Sequence, residues 1–160
     1  VEARWTDDIH DEWIRNLAAN TPPLSSERLI ATRDRMKVVL PDADVANYRG
    51  FIPDLRLPDP DDRHVLAAAI AGKASLIVTW NLKDFPAKDL ASHGVTSQSP
   101  DAFLTDLHAA FPDALISSVK RARHNLRKTM PSVDTFIDGL QQSSLKTFPA
   151  LLRQKIGGLI

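Results

Sequence analysis

The chain has 160 residues, 43% of them hydrophobic and 25% charged, enough apolar material for a buried core and too much for a disordered tail. It contains no cysteine, which excludes a disulfide framework, a thiolate nucleophile and a cysteine-ligated zinc site; any metal must sit on oxygen or imidazole, and a reducing cytoplasm fits best. Twenty basic residues balance twenty acidic ones, yet residues 1–112 carry 12 Lys/Arg against 17 Asp/Glu and residues 113–160 carry 8 against 3, an acidic body followed by a basic appendage.

Ala3–Thr6 is a weak strand candidate. From Thr6 the run T-D-D-I-H-D-E-W-I-R-N-L predicts a helix, with Thr6 as N-cap, acids in the first turn, and Ile9, Trp13 and Leu17 four apart. Thr21-Pro22-Pro23 ends it near Asn20, and Ser25 or Ser26 opens a second helix to about Leu40. Residues 41–60 hold four prolines and read as loop around a short helix at Ala43–Arg49. Asp59-Pro60-Asp61-Asp62 opens a third helix to Ala71, with Pro60 at the first helical position and Gly72 as the stop. Ser75–Thr79 is short, β-rich and apolar at its centre, the pattern of a central parallel strand covered on both faces; Val95–Ser97 is a weaker strand. The alternation of strand and helix through residues 1–111 predicts an α/β sandwich with right-handed crossovers. Beyond Pro112 strand patterns cease, and helices are expected at Asp113–Thr129, Ser132–Gln142 and about Leu145–Ile156. The longest apolar runs, such as Val65–Ile70, fall far short of the roughly 20 residues of a membrane span, and no charged-then-apolar leader opens the chain, so a soluble, untargeted protein is expected.

Ligands of parallel sheets bind at the carboxyl ends of strands, which directs attention to Thr79, Asn81 and Asp84 after the central strand. Taken alone, turn formation and capping are the better explanation of these residues, since Asn and Asp favour turns and can cap the short helix that follows. On the third helix Asp62 falls within the arc of Val65, Leu66, Ala69 and Ile70, aimed inward, whereas Asp59 and Asp61 are better explained as capping residues. Glu12 lies about 60° from Ile9, at the border of the first helix's apolar stripe, and can lean into a cleft or out into water. Together Glu12, Asp62 and Asp84 come from separate segments near strand ends, and clustered carboxylates repel unless a cation or a proton separates them. Oxygen-only ligation suits Mg²⁺ or Mn²⁺, and the reaction class it points to is metal-assisted phosphodiester hydrolysis. The five histidines show no metal-binding spacing, though His10 and His64 stand close to these acids, and no G-x-G-x-x-G or Walker loop supports a nucleotide cofactor.

The run D-P-D-D-R-H-V-L-A-A-A-I at 59–70, followed by L-I-V-T-W-N-L-K-D-F at 76–85, resembles the PIN-domain nucleases, particularly bacterial members related to the VapC toxins of toxin-antitoxin pairs; W-T-D-D-I-H-D-E-W at 5–13 resembles their second acidic segment. The resemblance covers residues 1–111. It implies a three-layer α/β/α sandwich around a parallel sheet and a Mg²⁺ or Mn²⁺ site cleaving RNA; residues 112–160, outside the resemblance, are expected as a helical extension from their own pattern. Glu12 matches the family's helix glutamate, Asp62 the acid of D-x-x-V-x-A, and Asp84 the acid of T-x-N-x-x-D-F, with Asn81 its companion and Thr79 and Asp59 auxiliary. One departure stands out: the family's first aspartate lies on a strand ahead of everything here, and the chain begins at Val1. Either upstream residues hold that strand, or the polypeptide lacks a ligand and is inactive, a PIN-like module binding RNA or a protein partner. An antitoxin over the acidic cleft and a homodimer are the partners the resemblance implies.

In the tail, Lys120, Arg123, His124, Arg127 and Lys128 fall on one arc of the expected helix, opposite Leu115, Val119, Ala122 and Leu126. This basic stripe is a candidate for RNA phosphates, and a solvated basic face explains it as well. A regulatory helical domain binding DNA through residues 120–128 is a further alternative.

Overall fold

The computed structural model describes residues 1–21 and 25–155. Helix α1 (Asp7–Asn20) starts where the Thr6 hydroxyl accepts the Ile9 amide, and α2 (Ser26–Val39) follows Ser25 as N-cap. The short helix expected at Ala43–Arg49 does not form. Trp5 N–H donates to Ala43 O and Val45 N–H to Trp5 O, both at 2.9 Å, so a parallel bridge between Trp5 and Asp44 consumes the backbone groups a helix needs. The chain forms 3-10 turns on either side instead, at Pro41–Ala43 and Tyr48–Asp54, the second entered through Asn47 in the left-handed region.

The Asp59 carboxylate accepts the Asp61 amide and opens a 3-10 turn at Pro60–Asp62, which passes into α3 (Arg63–Ala71). Leu66, Ala67, Ala68 and Ala69 on α3 are all buried, and the 48–54 segment packs against the helix. Glycine at position 72 answers a steric need: its φ of −81° suits any residue, but a Cβ there would meet Val45 Cγ2 at 2.8 Å and Ala68 O at 3.0 Å.

Strands β1 (Leu76–Val78) and β2 (Thr96–Gln98) form a two-stranded sheet whose bonds, Thr96 N–H to Ser75 O and Thr79 N–H to Gln98 O, advance in the parallel sense. With these strands among its helices the chain is an α/β protein. The strand expected to be covered on both faces is narrower than that: β2 is its one described neighbour, and Val78 is 43% exposed. Between the strands lie a 3-10 turn (Leu82–Asp84) and α4 (Ala87–Leu90). Then come α5 (Pro100–Ala110), α6 (Pro112–Asn125), α7 (Val133–Gln142) and α8 (Thr147–Gln154). Helix α6 stops four residues short of the expected Thr129. The amides of Thr129 and Met130 both turn back to Leu126 O, Met130 takes a positive φ, and Pro131 offers no N–H to continue the ladder. The expected end of the last helix, Ile156, lies outside the described residues.

The chain divides into two compact units, Val1–Ile77 with Asn81–Ser97, and Val78–Trp80 with the residues from Gln98 onward. The first is organised around Tyr48, Leu55, Leu66, Ile77, Phe85 and Leu90. The second has its own core of Leu115, Ile137, Phe148 and Leu152. Full burial of a leucine such as Leu66 or Leu152 contributes about 1.5–3 kcal/mol. Among the described residues no helix is long and apolar enough to cross a membrane.

Candidate metal centre

All four acids discussed below belong to the first unit. Asp59 is the exposed cap ahead of α3, Asp62 closes the 3-10 turn at its start, and Asp84 closes the 3-10 turn that follows β1. One carboxylate oxygen from each of the three lies within 4.8 Å of the others. Ligands of one Mg²⁺ with bonds of about 2.1 Å stand about 3 Å apart when adjacent and about 4.2 Å apart when opposite, and only one pair of three can be opposite, so the group must draw together to share one ion.

The environment of the three groups favours such a cation. Asp62 Oδ2 is buried without a hydrogen-bond partner. Burial pushes the Asp62 carboxyl above its ordinary pKa, and the charges of Asp59, Glu12 and Asp84 push the same way, against a smaller opposing pull from His64. Asp84 is buried, and the Asn81 side-chain amide donates to its Oδ2. Lys83, exposed, comes no nearer than 3.9 Å to the same oxygen. The donor set is oxygen only, which matches Mg²⁺ or Mn²⁺ rather than a softer metal.

Glu12 stands outside the three-carboxylate group. It projects from α1 to His64, with Oε2 3.3 Å from Nε2, while His64 Nδ1–H donates to Asp61 O at 2.7 Å. It nonetheless contributes to the field on Asp62. The exchange of Glu12 for Asp59 in the tight group was not evident from helix periodicity. The available signal was the i, i+3 spacing of Asp59 and Asp62, which capping also explains.

The remaining candidates are dispersed. Thr79 is half-buried in the strand ladder with its N–H on Gln98 O. The basic stripe of the second unit is broken by the early end of α6: Lys120 and Arg123 are on the helix and half-buried, whereas Arg127 and Lys128 are exposed in the turn beyond it, so the single helical arc expected for these four residues is absent. Arg123 Nη1 donates to Pro131 O at 3.1 Å, fastening that turn to the helix.

Comparison with known proteins agrees with this geometry. The family described as "PIN domain" matches residues 1–83, more than half of the chain, and that described as "VapC50 C-terminal domain" matches residues 100–154. A relative named "Putative ribonuclease VapC50", from Mycobacterium tuberculosis (strain ATCC 25618 / H37Rv), is 51% identical over 45 residues, which make up 28% of this chain and 27% of the relative. No solved structure matches the chain. With Asp59 and Asp62 inside the segment that the first family covers and Asp84 one residue beyond it, the chain belongs to the PIN-domain family, on its VapC-related branch.

Proposed function

We propose that the chain is a metal-dependent endoribonuclease that hydrolyses RNA phosphodiester bonds, the toxin of a toxin-antitoxin pair acting in the cytoplasm. The observation that carries this reading is the convergence of Asp59, Asp62 and Asp84 around the buried, unpartnered Asp62 Oδ2, in a chain of this family. Bound Mg²⁺ or Mn²⁺ would supply polarisation of the scissile phosphate and an acidified water. Asp62 and Asp84, with Asp59 beside them, offer the oxygen donors; Asn81 fixes one oxygen of Asp84; Glu12, beside His64, adds a fourth carboxylate from α1. The organisation is a PIN-like part through residue 111 in the family's three-layer α/β/α arrangement, supported by the parallel pairing of β1 with β2, and a helical extension at 112–160. The partners are RNA, an antitoxin covering the acidic site, and a second copy of the chain.

Incubation with RNA in Mg²⁺ or Mn²⁺, against a chelated control, tests the reading. Cleavage products should appear with metal and disappear in Asp62→Asn and Asp84→Asn; cutting by Asp62→Asn at the wild-type rate refutes the assignment. A second reading, a module that holds RNA or a protein without cutting, is favoured by the position of Glu12 outside the three-carboxylate group. Equal RNA binding with and without metal, and no products, identify it.

A further inference from the structure

We infer that the second unit is a docking surface for the phosphate backbone of RNA, built on the end of α6 and the turn that follows it; the inference rests on RNA being the ligand of this protein. No acid occurs between Asp113 and Asp134, whereas Lys120, Arg121, Arg123, Arg127 and Lys128 all fall in that interval. Attraction to the helix C-terminus accounts for Arg123 and His124, the basic residues of the last turn. It does not account for Lys120, a turn earlier, or for Arg127 and Lys128, beyond the helix and exposed. Among the described residues every ion pair lies elsewhere, so none of these three is neutralised by a carboxylate. Arg123 meanwhile bonds to Pro131 O, which ties the turn carrying Arg127 and Lys128 to α6. The occupant is a polyphosphate rather than an acidic protein. Residues 112–135 contain no Phe, Tyr or Trp, and a protein interface of this charge would be expected to centre on such anchors. The same lack removes base stacking, so binding is to backbone and independent of sequence.

The test uses the full chain in EDTA, where cutting is off, with fluorescence anisotropy of a short fluorescein-labelled single-stranded RNA across a salt series. The triple variant Lys120→Gln/Arg127→Gln/Lys128→Gln should bind about tenfold or more weakly, with the slope of log K against log salt shallower by about 2. A control that removes equal charge from the first unit, Arg28→Gln/Arg35→Gln/Lys88→Gln, should bind like wild type. Equal weakening by both triples, or an unchanged slope in the first, overturns the proposal, as does displacement of RNA by polyglutamate at equal charge concentration. A single reversal, Arg127→Glu, gives the same readout should the triple fail to fold. Because metal is absent, loss of cleavage in a separate Mg²⁺ assay with binding intact counts against the nuclease reading alone.

Discussion

The indole N–H of Trp13 donates to Nδ1 of His10 at 2.9 Å, one helical turn away on α1. That bond places the proton of the neutral imidazole on Nε2, which is buried without a partner, in a ring 1% exposed. Burial lowers the His10 pKa from the ordinary 6.5, Lys37 adds to the fall, and Asp44 and Asp7 partly offset it. The neutral form is therefore the folded one, and its contribution to stability is complete above pH 6.5 and is lost as pH falls below it toward the depressed value. The urea midpoint should drop between pH 7 and pH 5, and His10→Phe should flatten that part of the profile. Trp13→Phe, which removes the donor, should cost about 1 kcal/mol at pH 7.

Asp62 titrates in the opposite sense. Its pKa is raised by burial and by three neighbouring carboxylates, so the ionised folded form is disfavoured at neutral pH and stability rises as pH falls toward the ordinary carboxylate range. Asp62→Asn should accordingly melt higher than wild type in EDTA. Mn²⁺ should reverse the order, because a cation at roughly a hundred times its Kd adds about 2.7 kcal/mol to the form that binds it. Thermal melts of both proteins with and without Mn²⁺ check this; equal metal-induced shifts would remove Asp62 from the site.

Much of the local structure was legible because local chemistry decides it: the Thr6 hydroxyl and first-turn acids start α1, Pro60 starts the turn into α3, and the apolar β-rich run at 76–78 is a strand. The inward direction of Asp62 follows from helical periodicity, and the position of Asp84 from its place after the β-rich run. What escaped depends on partners remote in sequence. Residues 43 and 45 look helical until Trp5 takes their backbone groups, the end of α6 depends on bonds returning to Leu126, and Glu12 meets His64 only when α1 packs against α3. Asp59 was legible as a cap, and it is one, but that the same residue also stands in the carboxylate group requires Asp84 from a segment more than twenty residues away.

Two glycines separate steric need from mere tolerance. Gly72→Ala forces a Cβ to within 2.8 Å of Val45 Cγ2 and 3.0 Å of Ala68 O, and the second of these is backbone that cannot swing aside. The expected cost is about 1–3 kcal/mol in urea unfolding. Gly50→Ala meets nothing within 4 Å and should leave the midpoint close to wild type.

In the second unit a carboxylate on one helix starts another. Asp101 on α5 accepts the amides of Thr147 and Phe148, at 2.9 Å each in the closest pairings, and so satisfies N–H groups of the first turn of α8, whose own N-cap residue, Lys146, makes no side-chain capping bond. Burial works to raise the Asp101 pKa, but the amides of Phe148 and Thr147 outweigh it, and the carboxyl is held below its ordinary value. Its stabilising effect is therefore present above about pH 4 and is lost as pH falls through the depressed value. Asp101→Ala should cost about 1–2 kcal/mol at pH 7, Asp101→Asn, which still offers an acceptor, distinctly less. Both should converge on wild type in strong acid. Because Phe148 and Leu152 on α8 fill the core of this unit, the loss should appear as a lower urea midpoint for its helices; an Asp101→Ala protein as stable as wild type would show that water satisfies those amides equally well.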